Sequence, residues 1–237
     1  MTMTTDRPGR VVPAASRPRT VFLAAAAVVL LTVVGLIVLF FTPVFGVRTV
    51  RVVGARTVSA DTVRSSAAIA DGTPLVRVDT SAARARVLHL PGVAGASVQV
   101  AYPSTVVITI EERTAVGYIR DSAARFSLVD SHGVEYRVES KVPAALPRFD
   151  LPTGTAAAST LSSAAAVAAA LPVDVRAKVV TISADTPDSI RLVLSDDRVV
   201  IWGDASQSAL KGRLLPPLLT RSGHTIDVSD PALVVVG

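Results

Sequence analysis

From Val21 to Phe41 the chain runs without a charged side chain and is built almost wholly of Val, Leu, Ala, Ile and Phe, with no polar face. A helix rises about 1.5 Å per residue, so about 21 residues cover the roughly 30 Å hydrocarbon thickness of a bilayer. The pattern predicts a membrane-spanning helix over 21–41. Gly35 is the one weak helix former inside it, and a single glycine is tolerated where the backbone must satisfy its own hydrogen bonds. A cleaved signal peptide would instead have an apolar core of about 7 to 15 residues and then small residues at the cleavage site. This chain continues as Phe40-Phe41-Thr42-Pro43-Val44-Phe45.

Behind the span the period changes. Val47 to Val53 alternate, are rich in β-branched residues and stop at Gly54, which reads as a strand and a turn. Ser59 is placed to cap a helix over 60–70, with Val58 and Val63 as a hydrophobic staple, Asp61 at the positive helix end and Gly72 as the stop. A second helix is expected from Asp79 or Thr80 to Leu88, ended by Pro91-Gly92. Strands over 96–102 and 105–111 come next, around Pro103-Ser104, with Val106, Ile108 and Ile110 on one face. The order is β-α-α-β-β.

From Ala115 the pattern is mostly β. Strands are expected over 116–120, 126–129 and 134–138, the last two joined by the turn Asp130-Ser131-His132-Gly133. Ala156 to Leu171 is too short and too weakly hydrophobic for a second span, and reads as a surface helix ending at Pro172. Strands resume over 175–184, 189–194 and 199–202. A late helix from about Ser206 carries Leu210, Leu214 and Leu218 on one face, and Pro216-Pro217 must break or kink it. Thr225 to Ser229 and Ala232 to Val236 read as terminal strands around Asp230-Pro231.

The fold class is therefore α+β: one N-terminal transmembrane helix, a β-α-α-β-β domain, and a mostly β second domain with a late helix. The expected boundaries are 1–20 for a tail, 21–41 for the span, 42–46 for a linker, 47–114 for the first domain and 115–237 for the second.

Charge orients the span. Residues 1–20 hold Arg7, Arg10, Arg17 and Arg19 against Asp6, and short Arg-rich flanks stay cytoplasmic. With Pro8, Pro13 and Pro18 and no apolar period, this tail is expected to be disordered. The rest of the chain then lies outside the cytoplasm, where 20 basic residues face 18 acidic ones. The pI of about 10.2 is partly a topogenic signal, and without a concentrated basic stripe it gives no support for nucleic-acid binding. No cysteine is present, so hydrophobic cores alone must hold the exported part.

Catalytic chemistry finds little footing. Asp130-Ser131-His132 are neighbours in a turn, whereas the members of a triad converge from separate elements. His89, His132 and His224 are isolated, with no metal-ligand spacing. Gly92 and Gly95 lie between a helix and a strand, the wrong order for a phosphate loop. Glu111 and Glu112 point to opposite faces of a strand, which suits a solvated edge better than an acid/base couple. Neither a cofactor nor a small-molecule substrate is expected.

Val50-Arg51-Val52-Val53-Gly54, Gly72-Thr73-Pro74-Leu75, Leu90-Pro91-Gly92-Val93 and the run from Tyr102 through Glu111-Glu112-Arg113 succeed one another directly behind the single anchor. In that order they resemble the POTRA domain of the FtsQ/DivIB family of bacterial cell-division proteins. Tyr102 stands where the family often has Trp, and Ala115 where a proline is common. Val200-Ile201-Trp202-Gly203-Asp204, the helix bearing Lys211, and Ile226-Asp227-Val228-Ser229 resemble the family's second, β domain.

The resemblance implies a scaffold rather than an enzyme: a single-pass cell-membrane protein at the division septum with its bulk extracytoplasmic. It would bind FtsB/DivIC-type and FtsL-type division proteins and help bring the septal peptidoglycan synthase to its place. It also implies that the partner adds a strand at Thr225, Ile226, Asp227, Val228 and Ser229, expected to be a sheet edge because they arrive last. Two rival classes are an anchored cell-wall enzyme, which would need a cleft with paired titratable groups, and a POTRA chaperone or translocation component, which would carry POTRA repeats or a membrane barrel. The Ala, Val and Arg bias points to a GC-rich actinobacterial source.

Overall fold

The computed structural model describes residues 18–41, 45–121, 125–142, 144–152 and 157–237. Residues 1–17 of the expected tail and 42–44 of the expected linker lie outside the described residues, while Pro18 to Thr20 of that tail already belong to the first helix. Helix α1, Pro18–Phe41, is long and apolar enough to cross a membrane, and none of its Val21–Val38 stretch is buried against the rest of the chain. Apolar side chains left this bare in water would forgo the gain from burial that hydrocarbon supplies.

The first domain has the expected order: β1 Thr49–Val53, α2 Ala60–Ala67, α3 Thr80–Leu88, β2 Val93–Ala101 and β3 Thr105–Glu112. Strand β3 is central, parallel to β1 and antiparallel to β2. Val106, Ile108 and Ile110 are buried together as the alternation predicts, under Val63 and Ala67 of α2 and Ala83 and Val87 of α3. Ser59 caps α2 by accepting from Asp61 N, and Asp79 caps α3 by accepting from Ala82 N at 2.9 Å. Helix α2 nevertheless ends at Ala67, short of the expected Ala70. Ala68 turns left-handed at φ 49° and its N–H closes on Ser65 O, so Gly72 shapes a later turn and not the helix stop. Gly54 has φ +88°, and a Cβ there would lie 2.1 Å from Ile110 O, so only glycine lets β1 end against β3.

Among the described residues the second domain forms a nine-stranded sheet: β4 Ala115–Arg120, β5 Phe126–Asp130, β6 Glu135–Glu139, β7 Arg148–Asp150, β8 Val179–Ser183, β9 Ile190–Leu194, β10 Val199–Gly203, β11 Thr225–Asp227 and β12 Val235–Val236. The spatial order is β12-β11-β10-β9-β8-β7-β4-β5-β6. Helices α4 Ala157–Ala170, α5 Val173–Arg176 and α6 Ser208–Leu218 complete it.

The second domain departs from expectation in several places. The Ala-rich helix α4 belongs to the core, with Leu161, Ala164, Ala165, Val167 and Ala168 buried against the sheet. Its small side chains allow close approach: a Cβ on Gly212 of α6 would sit 2.8 Å from Ala170 O. The strand expected from Val175 begins at Val179, because Val173–Arg176 forms a helical turn with Val175 buried. Strand β7 was not expected; it lies between β4 and β8, parallel to both, and Gly117 leaves the space that Phe149 fills, since a Cβ there would fall 2.3 Å from the ring. In α6 the buried face is Ser208, Lys211, Leu215 and Leu218, while Leu210 is exposed. The proline pair does not break α6, which runs through Pro216 and Pro217 to Leu218. The pair stands in the last turn, so the helix forgoes the two bonds that positions 216 and 217 would donate to Gly212 O and Arg213 O, but almost no helix follows them to be disrupted.

Candidate functional site

Strand β11 contains Thr225, Ile226 and Asp227, with Val228 and Ser229 just beyond. It is not the sheet edge. β10 lies parallel on one side and β12 antiparallel on the other, because the chain reverses at Asp230-Pro231 and adds one more strand. Ile226 and Val228 are fully buried, as the alternation requires. Asp227 Oδ1 accepts from Ser229 N at 2.9 Å and from Ser229 Oγ at 2.7 Å, tying the turn that leads outward.

Among the described residues the edge at this end of the sheet is β12, with β6 at the other. Thr225 and Gly237 exchange two backbone bonds, Thr225 N to Gly237 O at 2.9 Å and Gly237 N to Thr225 O at 3.0 Å. Antiparallel ladders alternate bonded with non-bonded pairs, and Ile226 opposes Val236 in the next place. The N–H and C=O of Val236 therefore face outward. Val234 and Val236 pack on the core, whereas Leu233 and Val235 are exposed by 72% and 54%. Sequence reasoning placed Ala232 to Val236 behind β11. The signal for the edge was the alternation of Leu233 and Val235 with Val234 and Val236, in a run too short to show which set faces inward.

A buried cation locks α6 under this end of the sheet. The fully enclosed Lys211 donates from Nζ to Trp202 O and Asp204 O, each at 3.1 Å, and to Asp204 Oδ1 at 3.0 Å. Trp202, equally enclosed, donates from Nε1 to Ser208 Oγ at 3.2 Å. Ser206 first, and then Lys211, hold the Asp204 carboxyl below its ordinary pKa by hydrogen bonding.

Of two adjacent residues at the end of β3, Glu112 braces the first domain and Arg113 joins it to the second. Glu112 Oε1 accepts from Arg56 N at 2.6 Å and from Thr57 N and Val58 N at 2.9 Å. Burial acts to raise this carboxyl's pKa, but the donors outweigh it and bring it down to about 2. Glu112 is thus an internal clamp, which corrects its reading as a solvated edge. Arg113 pairs with the buried Asp130 at the end of β5 and donates from Nε to Pro91 O at 3.0 Å. Asp130 Oδ1 also takes His132 N and Val134 N, each at 2.9 Å. Burial pushes its pKa up, while these N–H groups and the guanidinium together hold it below the ordinary range. A cleft of about 770 Å³ opens beside the joint, with Arg56, Glu111, Arg137 and Lys141 of mixed sign on its walls.

The turn at Asp130 lacks relay geometry. Ser131 Oγ and Asp130 Oδ2 both face Nδ1 of His132, at 3.3 and 3.9 Å, whereas a relay needs acid and nucleophile on opposite ring nitrogens. His89 Nδ1 lies 2.8 Å from Ala85 O, and His224 joins the ladder through its backbone. Among the described residues no group of three or more Asp, Glu or His converges for a metal. Arg7, Arg10 and Arg17 lie outside the described residues, and Arg19 is in the first turn of α1.

A membrane-length helix leading into a β-α-α-β-β domain and one mixed sheet is the architecture of a POTRA protein with a single β domain behind an apolar N-terminal helix. The FtsQ-type POTRA domain matches residues 45–113, and the C-terminal domain of cell division protein FtsQ/DivIB matches 117–230. Cell division protein FtsQ of Mycolicibacterium smegmatis is 40% identical over 213 residues, covering 90% of this chain and 63% of that protein. FtsQ of Mycobacterium bovis is 38% identical over 216 residues, covering 90% and 68%, and FtsQ of Streptomyces coelicolor is 32% identical over 227 residues, covering 90% and 86%. The chain belongs to the FtsQ/DivIB family of bacterial cell-division proteins. It spans 63% of the length of the Mycolicibacterium relative. The major extracytoplasmic domain of DivIB from Geobacillus stearothermophilus, solved as its trans isomer, is 17% identical with a TM-score of 0.36, covering 46% of this chain and 93% of that one.

Proposed function

We propose that this chain is a non-enzymatic scaffold of the division machinery, held in the cell membrane at the septum by α1 with both folded domains, divided near Thr114, outside the cytoplasm. It binds FtsB/DivIC-type and FtsL-type proteins and thereby helps to recruit or regulate septal peptidoglycan synthesis. The partner site lies at the β11–β12 end of the sheet. Thr225 to Ser229 form the platform, and β12 offers the strand to which an incoming segment adds.

The observation that carries this reading is the free edge with Leu233 and Val235 exposed beside it. Backbone groups paired only by water, next to bare apolar side chains, form a template suited to an added strand. The test is binding of an FtsB/DivIC-type partner to the full chain in detergent. Leu233→Asp with Val235→Asp, on the outward face, should weaken binding about tenfold or more, since about 1.4 kcal/mol is a factor of ten. Unchanged affinity in that folded double variant would overturn the site.

A further inference from the structure

The first domain is tied tightly to the end of α1. Only residues 42–44 separate Phe41 from Phe45, so at about 3.5 Å per residue the two cannot be more than about 14 Å apart. The Leu75–Arg77 turn packs against α1. Gly46 bridges Pro74, Val47 N donates to Thr73 O at 2.9 Å, and Gly72 N donates to Val47 O at 2.8 Å. A Cβ on Gly46 would lie 2.7 Å from Gly72 O, so the entry strand and this loop are closed on each other. The β2–β3 turn is pinned to the same point, since Arg48 N and Thr49 N both donate to Ser104 O, at 2.8 and 3.3 Å.

Tyr102 projects from that turn. In the described part of the first domain the exposed large hydrophobic side chains are Val53, at 45%, and Tyr102, at 62%. Val53 is at the far end of β1, and Tyr102 is at the end where the chain arrives from α1. Arg48 and Arg77 are exposed at that same end, with Asp71 on the neighbouring loop. An apolar ring with a polar tip, at the same end of the sheet as an arginine on an apolar stem, is the chemistry of the headgroup layer: tyrosine settles there, and arginine extends to phosphate.

We infer that this end of the POTRA sheet docks on the lipid headgroup surface, with the Tyr102 ring in the interface and Arg48 at lipid phosphate, fixing how the domain stands on the membrane. The inference rests on the reading of α1 as the membrane anchor. The occupant is lipid because the span itself brings the surface to within a few residues of these side chains.

The absence of cysteine makes the test direct. Full chains carrying Thr32→Cys, Tyr102→Cys or Val138→Cys are labelled with an environment-sensitive fluorophore. They are reconstituted into phosphatidylcholine/phosphatidylglycerol vesicles containing lipids that quench at either headgroup or acyl-chain depth. Position 32 should be quenched by the acyl-chain probe. Position 102 should be quenched by the headgroup probe several-fold more than position 138, a solvent-exposed control on β6, and less strongly when Arg48→Gln is added. If position 32 escapes the acyl-chain probe, the anchor reading fails. If position 32 is quenched but 102 behaves as 138 does, the docking is overturned with the anchor intact. Unchanged quenching in Arg48→Gln removes the phosphate pairing and overturns the proposed surface. No other protein is in the vesicles, so a Tyr102 that served a partner chain would give the pattern of position 138.

Discussion

Lys211 Nζ, completely enclosed, donates to Asp204 Oδ1 at 3.0 Å while also capping the Trp202 carbonyl. One side chain thereby fastens the middle of α6 to the end of β10, the strand on which β11 and β12 are laid. Lys211→Met keeps the apolar stem and removes the three donors. Two carbonyls are left short of a partner, at about 1–3 kcal/mol for each polar group left buried and unmet. Asp204 is half-exposed and can take up water, so the total should stay near the lower part of that range. A denaturant midpoint equal to that of the natural protein would contradict the fastening.

Glu112 gives a pH dependence with a definite sign. Its folded pKa of about 2 lies below the ordinary 4.5, so its contribution to stability is present above the ordinary value and is lost as pH falls through the folded one. Urea midpoints should drop between pH 4.5 and 2. Glu112→Gln keeps an acceptor for the Arg56 to Val58 loop but does not ionise, and it should lower stability at neutral pH while flattening the decline. A decline equally steep in the variant would show that other carboxyls carry it.

At the joint, Arg113→Ala withdraws the guanidinium from the buried Asp130 and from Pro91 O. Charged hydrogen bonds of this kind are worth about 1.5–3 kcal/mol. Removing the cation also raises the Asp130 pKa, so acid unfolding should begin at higher pH. Small-angle scattering of the variant should report a looser arrangement of the two domains, and an unchanged profile would mean that other contacts hold them.

Period and length decided how much of the fold was legible in the sequence. The alternation of Val106, Ile108 and Ile110 pointed to the core of the first domain, and the apolar run of α1 is legible because nothing polar interrupts it. Arg148–Asp150 is too short to show alternation and becomes a strand only because β4 and β8 lie on both sides. The Ala-rich α4 looks weakly hydrophobic residue by residue, yet the same smallness lets it lie close to α6. In α6 the leucines at 210, 214 and 218 suggested one face, but buried Lys211 defines another, because its charge is met by Trp202 and Asp204 from outside the helix. The roles of Glu112 and Asp130 were unreadable for a related reason: most of their donors are backbone groups that a sequence does not display.

The orientation of the anchor is tested by fusions. A reporter active only outside the cytoplasm should work after Gly237, and one that requires the cytoplasm should work only before Met1. Replacing Arg7, Arg10, Arg17 and Arg19 together should mix the two orientations, because the positive flank sets the bias. The reverse pattern of activity would place the domains inside the cell.

The last prediction separates the edge from the strand that supports it. By the register of the ladder, Val236 presents its N–H away from β11, while Gly237 turns toward Thr225 and exchanges two bonds with it. Proline deletes a donor and fixes φ, so its cost depends on which way that donor points. Val236→Pro should remove one bond to an added strand, worth about 0.5–1.5 kcal/mol and hence up to about tenfold in affinity, with little change in the melting of the domain. Val236→Ala keeps the donor and trims the same side chain from the core, and it should bind nearly as well as the natural chain. Asp227→Pro acts differently, because β11 has a neighbour on each side; it should loosen the end of the sheet and lower the melting temperature along with partner binding. Asp227→Asn retains the Oδ1 acceptor that holds Ser229 and should be mild. If Val236→Pro and Val236→Ala bind an FtsB/DivIC-type partner with equal affinity, the partner does not pair with this edge.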